Sequence, residues 1–392
     1  MKIISTVILL LIPCVFIFTA CKKNEIQAEE SFIKIYDQLD GNKKYFPLSM
    51  TQTNDEGYLI LGAVNGWNIM LMKIDALGEM VWDVNLPIKY VNATPNIINI
   101  QDRHYIVCMD NVGLFTYLLE VGESSGEITE VQAFDEMFYP TYAYYNGTNF
   151  YIQNYNRNTR RTGIHRLSSS LSEIDASNQL NVIADVEDNI VEHVTFSGRR
   201  MPFMVRTTPD NNHVVMSCFY NYSFSFIFLN NNLEFQGVYN GSHFDASINA
   251  FHPLGGDYYS VARFSFGNQF FTPKVLVASN EIDITASIPV QGYPTLDPDF
   301  PVQIQPMMIG DTNYISFMAT SRSNQLVLHF YNEDGVLKGK HHLGQNTPFS
   351  LADAKVTADG GLILLVQVKV MGTYRRIATI RLSKKELENI VS

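Results

Sequence analysis

The segment Gly122-Glu123-Ser124-Ser125-Gly126 spells G-x-S-x-G, the spacing that can hold a serine nucleophile at a strained turn. That chemistry needs a strand before the serine and a helix after it. Here EITEVQAF follows, which alternates as a strand does, so the segment reads as a Ser/Gly turn between two strands. Nine histidines are scattered along the chain. His341 and His342 are adjacent in a strand pattern, so they point to opposite faces and cannot share one metal ion. The chain has no H-x-x-x-H, C-x-x-C or Gly-rich phosphate loop. Asp297-Pro298-Asp299 and the Asp37 to Asn42 stretch carry carboxylates but lack the ligand spacing of a calcium loop, and they read as turns. The expectation is therefore no metal, no cofactor and no assigned catalytic residue. An enzyme would be indicated if two or more of His165, His193, His243 and His252 met carboxylates at the mouth of a channel.

These residues need a scaffold, and the chain writes one repeatedly. Residues 53 to 82, TNDEGYLILGAVNGWNIMLMKIDALGEMVW, hold three short strands separated by Gly- and Asn-bearing turns. The first turn, NDEG, has counterparts at QDRH (101–104), NGTN (146–149), PDNN (209–212), GGDY (255–258), GDTN (310–313) and ADGG (358–361). An apolar strand follows each one, and the units mostly recur at about 45 to 55 residues. The last unit lacks a convincing fourth strand, while an orphan strand, SFIKIYDQL (31–39), precedes the first full unit. An N-terminal strand that completes the last sheet leaves no open edge. The spacing predicts an all-β, seven-bladed β-propeller closed in this way, with six or eight blades as alternatives.

The first thirty residues stand apart from that domain. Met1-Lys2 is followed by IISTVILLLIPCVFIFTA and then by Cys21 and a polar run. A short positive start, an apolar core and small residues before a cleavage point describe an export signal. A plain membrane anchor is the alternative. The Phe18-Thr19-Ala20-Cys21 end resembles the lipobox of bacterial lipoproteins, in which the cysteine carries lipid; it departs at Phe18, where Leu is usual. The resulting division is a signal peptide at 1–20, a tether at 21–30 and the propeller at 31–392. Cys108 and Cys218, each inside an apolar run, read as separate buried thiols.

The repeat TNDEGYLILG…NIMLMKIDALGEMVW also resembles propeller repeats in surface lipoproteins of Bacteroidota, written T-x-D-G-G-Y-x-L-x-G and then L-x-K-x-D-x-x-G-x-x-x-W. Thr53, Asp55, Gly57, Tyr58, Gly62, Lys73, Asp75, Gly78 and Trp82 match, and Thr357, Asp359, Gly360 and Gly361 match near the C-terminus. The resemblance implies fold and cellular address, with no activity attached. KIDALGEMVW is similar as well to the tryptophan-docking repeat of quinone-dependent dehydrogenases, but the chain's two Trp, Trp67 and Trp82, are too few for that family.

The formal charge of −11 argues against nucleic acid, whose binding needs clustered Lys and Arg. Four long segments, 154–163, 184–200, 263–273 and 290–304, read as loops gathered on one face of the ring. They carry Arg157, Arg160, Arg161, Arg199, Arg200, Phe264, Phe266, Phe270, Phe271 and Tyr293, a composition that suits an interface core. The leading expectation is a non-catalytic scaffold for a protein partner, held by lipid at the outer membrane on an undetermined side. A glycan-binding accessory lipoprotein and a propeller lyase or hydrolase are the alternatives. Cys21→Ser is expected to move the protein from the membrane pellet to the soluble fraction; retention in the pellet would show that the apolar stretch itself is the anchor.

Overall fold

The computed structural model describes residues 30–37, 40, 42–195, 201–240, 246–265, 267–277, 291–370 and 374–392. These form antiparallel sheets in the manner of a β-propeller. Strand β1 (Phe32–Ile35) comes first, followed by the up-and-down run β2 (Tyr45–Gln52), β3 (Tyr58–Val64), β4 (Asn68–Ile74) and β5 (Met80–Asn85). After the two-residue β6 (Tyr90–Val91) comes a second run, β7 (Ile97–Ile100), β8 (Arg103–Asp110), β9 (Phe115–Val121) and β10 (Ile128–Phe138). Because β6 pairs with both β4 and β8, the two runs join in one nine-stranded sheet.

Five four-stranded sheets complete the described residues. The first three are β11 (Pro140–Tyr145), β12 (Phe150–Asn156), β13 (Arg161–Leu167) and β14 (Ile174–Asn181); then, beyond helix α1 (Glu187–Thr195), β15 (Met204–Thr207), β16 (His213–Tyr220), β17 (Ser223–Asn230) and β18 (Phe235–Asn240); then β19 (Ala246–Gly255), β20 (Tyr258–Ser265), β21 (Asn268–Leu276) and β22 (Gln291–Tyr293). A fourth is β23 (Gln303–Ile309), β24 (Thr312–Thr320), β25 (Leu326–Asn332) and β26 (Leu337–Leu343). The last contains β27 (Phe349–Val356), β28 (Leu362–Val370) and β29 (Tyr374–Leu382), and helix α2 (Lys384–Val391) ends the chain. The inner strands β3 and β28 are buried almost throughout, and apolar clusters fill the spaces between neighbouring sheets.

The turn that the repeat motif specifies has a physical reason. The Thr53 hydroxyl and the Gly57 amide both donate to one Asp55 oxygen, at 2.6 and 3.1 Å, which closes the β2–β3 hairpin. A Cβ at Gly57 would lie 2.4 Å from the Ile74 carbonyl and 2.6 Å from Lys73 Nζ, so no larger residue fits without displacement. Lys73 is buried on β4 and donates to Asp55 and Thr53, which neutralises the carboxylate the turn needs. Burial opposes the Asp55 charge, but Lys73, Thr53 and Gly57 outweigh it and hold the carboxyl at about 2. The last sheet repeats the device with Thr357, Asp359 and Gly361, and Arg381 stands in for the lysine. Thr208, Asp210 and Asn212 build a third copy of the turn.

The orphan strand β1 lies on β29, with Phe32 opposite Arg381 and Ile35 opposite Ala378, as the fourth strand of the last sheet. Buried Tyr36 extends the seam, donating its hydroxyl to the Gly78 carbonyl at 3.1 Å and meeting Thr379 Oγ1 at 2.8 Å. On the inner side, Asp353 of β27 accepts from Ser49 Oγ at 2.9 Å and Met50 N at 3.0 Å on β2. The chain ends are therefore joined twice, once at the rim and once near the axis. The first strands of the sheets converge there on a cleft of about 90 Å³, reached by Leu48, Asn96, Tyr142, Arg206, Asn249, Gln303 and Asp353.

Three of the four expected loops are corrected. Segment 263–273 is mostly the paired strands β20 and β21, and 154–163 is the β12–β13 hairpin with a four-residue tip. Polar side chains in these strands (Asn154, Arg263 and Gln269) made paired backbone look like loop. Segment 184–200 contains α1, whose Glu187 and Asp188 suit a helix start and whose amphipathic pattern was hidden by flanking charges. Removing residues 31–39 takes away four ladder residues and the buried Tyr36 ring, a loss of roughly 4–6 kcal/mol. Denaturant unfolding should show that loss, against near-neutrality for shortening the 157–160 tip; equal midpoints would contradict the closure.

Candidate functional site

A cavity of about 860 Å³ lies away from the axis, between β10 on one side and β13 and β14 on the other. Its walls follow from one strand irregularity and one hairpin. Strand β10 shifts register between Phe134 and Phe138, and the extra residues carry Asp135 and Glu136 outward at the rim. Opposite, the β12–β13 hairpin supplies Asn156, Asn158 and Arg161.

His165 forms the inner wall. It lies on β13 with 7% of its surface exposed, and its Nε2 is 3.0 Å from Asn154 Oδ1. Asn154 donates its Nδ2 to the Phe138 carbonyl at 3.0 Å, which fixes Oδ1 as the atom facing the imidazole. An amide oxygen can accept but not donate, so Nε2 must carry the proton. Nδ1 is then a bare lone pair, and it is buried with no hydrogen-bond partner among the described residues. Burial alone lowers the His165 pKa to about 4, so the imidazole is neutral at pH 7. Gly163, two residues back on the same face, makes the contact possible. A Cβ there would lie 2.2 Å from Asn154 Oδ1 and 2.7 Å from His165 Nε2.

The expected binding residues divide. Arg161 reaches the cavity. Arg157 instead pairs with Glu187 at 3.1 Å and lies 5.9 Å over the Tyr139 ring, facing α1. Arg160 is exposed at the hairpin tip with φ 52°. Arg199, Arg200 and Phe266 lie outside the described residues, as does Cys21. Phe264 and Phe271 are buried, which corrects their assignment to an exposed face. Phe271 packs on Tyr293 at 4.9 Å and Phe317 at 4.8 Å in the core between two sheets. Tyr293 is half-buried, its hydroxyl 2.5 Å from that of Tyr331, and Phe270 sits under the Arg263 guanidinium at 5.4 Å. These aromatics are strand residues whose apolar rings fill the space between sheets, so no stacking platform forms from them.

Among the described residues the histidines do not converge either. His193 on α1 accepts from Met201 N at 3.0 Å, His252 is half-buried on β19, and His243 lies outside the described residues. Gly122 to Gly126 is the turn between β9 and β10, and Trp82 donates to the Glu123 carbonyl at 3.2 Å. Cys108 and Cys218 are separate buried thiols.

No protein-family model matches the chain, and no curated protein does. Among solved structures, the Kuenenia stuttgartiensis hydrazine synthase is similar at TM-score 0.51 and 11% identity, covering 84% of this chain and 94% of that one. A putative 6-phosphogluconolactonase from Bacteroides fragilis is similar at TM-score 0.45 and 14% identity, covering 87% and 96%. A periplasmic gluconolactonase from Pseudomonas aeruginosa is similar at TM-score 0.44 and 11% identity, covering 87% and 97%. The chain's fold is that of β-propeller-like proteins. Nothing in these comparisons ties the repeat to lipoproteins of Bacteroidota. The expectation of a non-catalytic outer-membrane scaffold for a protein partner is corrected: no comparison supports a lipoprotein or scaffold role, and the hydrolase alternative rests on the residues themselves. At these identities the likeness is one of fold, and the chemistry must come from the residues.

A histidine of pKa near 6.5 unfolded and about 4 folded is a cost to folding in acid. The native state is fully favoured above pH 6.5 and loses roughly 2–3 kcal/mol from this group as pH falls through 4. The stability difference between the wild type and His165→Gln should therefore move by that amount in favour of the variant between pH 7 and pH 4, read by denaturant unfolding. A pH-independent difference would mean that the imidazole titrates normally.

Proposed function

We propose that this chain is a propeller hydrolase that cleaves an uncharged, hydroxyl-rich ester or lactone in the cavity beside His165. One observation carries the reading: a neutral imidazole, its tautomer set by Asn154, stands in the wall of the 860 Å³ cavity with a second, buried ring nitrogen that no described residue bonds. His165 Nδ1 would take a proton from water as the water oxygen attacks the ester carbonyl. Arg161 would meet the developing oxyanion, and the resulting imidazolium would return its proton to the departing alkoxide oxygen. The Nε2–H bond to the Asn154 amide oxygen holds the ring still throughout. Gln132, Asn156, Asn158 and Gln179 line the same cavity and suit hydroxyl groups, while Asp135 and Glu136 at the rim disfavour an anionic substrate.

Two finer readings accompany this one. The nine-stranded sheet is best taken as two blades bridged by β6, which brings the ring to seven, since each of its halves is a four-strand meander like the others. Export with lipid attachment at Cys21 would hold the enzyme at the cell envelope; the apolar stretch ending in Phe18-Thr19-Ala20-Cys21 supports it.

Hydrolysis of a panel of uncharged sugar lactones and short-chain esters, followed by proton release, tests the proposal. The wild type should be active, with an acid limb in kcat/KM near pH 4 and a plateau above it. His165→Gln should lower kcat/KM by roughly 10²–10⁴-fold. Full activity in His165→Gln, or an active wild type whose acid limb is unchanged in that variant, sinks the assignment.

A further inference from the structure

A different site lies on the axis. Arg206 of β15 enters the cleft where the first strands converge. Its Nη1 donates to the Tyr142 hydroxyl and to the Val205 carbonyl, both at 2.8 Å. Its guanidinium carbon lies 5.2 Å from the Tyr144 ring centre and 5.8 Å from that of Tyr142, so two aromatic rings position it. The Nε–Nη2 edge makes no hydrogen bond among the described residues, and no carboxylate there forms an ion pair with Arg206. An arginine held by one nitrogen presents the other edge as a two-pronged donor.

The surrounding charges do not cancel it. Lys355 of β27 lines the same cleft and pairs with Asp353 at 3.1 Å. Asp353 is already engaged by Ser49 Oγ, Met50 N, Ala354 N and Lys355 Nζ. His252 of the neighbouring β19 is lowered to about 4 by burial and by Arg206, so it adds no charge at pH 7. Two cations thus face the cleft against one carboxylate that serves as a backbone clasp. The cleft, with a volume of about 90 Å³, has room for one oxyanion head.

We propose that the axial cleft binds a small oxyanion, a carboxylate or phosphate group, gripped by the Nε–Nη2 edge of Arg206 with Lys355 as the second cation. The site is separate from the His165 cavity and does not depend on its activity. Its position at the centre of the ring couples occupancy to the packing of every sheet, so the anion would act as a stabilising ligand.

Calorimetric titration of the full chain at low ionic strength with sodium acetate, and separately with inorganic phosphate, tests this. Saturable one-to-one binding of either anion, with a rise in Tm, is expected; the tighter of the two identifies the head group. Arg206→Lys keeps the charge and loses the fork, and should bind roughly tenfold more weakly, with Arg206→Gln weaker still. Lys355→Met should weaken binding several-fold, and His165→Gln should leave it unchanged. A wild type that binds neither anion overturns the proposal without any variant. Binding that survives in folded Arg206→Gln, or that is lost instead in Arg161→Gln, also overturns it.

Discussion

Everything in this molecule rests on a ring of sheets meeting end to end. A row of packed sheets has two open ends, each exposing apolar faces and unpaired backbone. Here β1 pairs with β29 at the rim, while Asp353 clasps β2 near the axis. The two joints act at different radii, so the last sheet can neither hinge away from the first nor slide past it. The axial cleft and the cavity beside His165 both inherit their shapes from that closure, because each is bounded by neighbouring sheets rather than by one of them.

Within the sheets, stability is handled by a small polar device rather than by apolar surface alone. The Thr-x-Asp turn concentrates donors on one carboxylate, and a cation two strands away neutralises it. The cation can change, from Lys73 in the first run to Arg381 in the last, because the turn needs a positive charge at that place and tolerates either shape. The turn together with its cation stands in the first and last runs, at the two ends of the chain. These are the sheets that meet at the seam, where Tyr36 also reaches the Gly78 turn.

The two sites divide the labour between a base and a cation. His165 owes its character to what surrounds it: burial removes its charge, Asn154 selects its tautomer, and the missing side chain at Gly163 lets the two approach. Arg206 owes its character to what is missing, since among the described residues no carboxylate bonds its free edge. The chemistry proposed for each cavity follows from that difference. A neutral lone pair suits proton transfer to and from an uncharged substrate, and an unanswered guanidinium suits an oxyanion.

The sequence by itself determined the strand periodicity, the turn motif and the spare strand that closes the ring, because each depends on neighbours within a few residues. It also carried His165 as one of four histidines worth following and Arg161 as part of a binding surface. It did not reveal that Phe264 and Phe271 are core, since an aromatic strand residue beside a polar turn looks the same whether its sheet is covered or bare. Nor could it place Asn154 against His165, Asp135 across from Arg161, or Arg206 beside Lys355. Those meetings join strands, and in the last case opposite parts of the ring, so side-chain protonation and charge balance were decided only when the sheets packed.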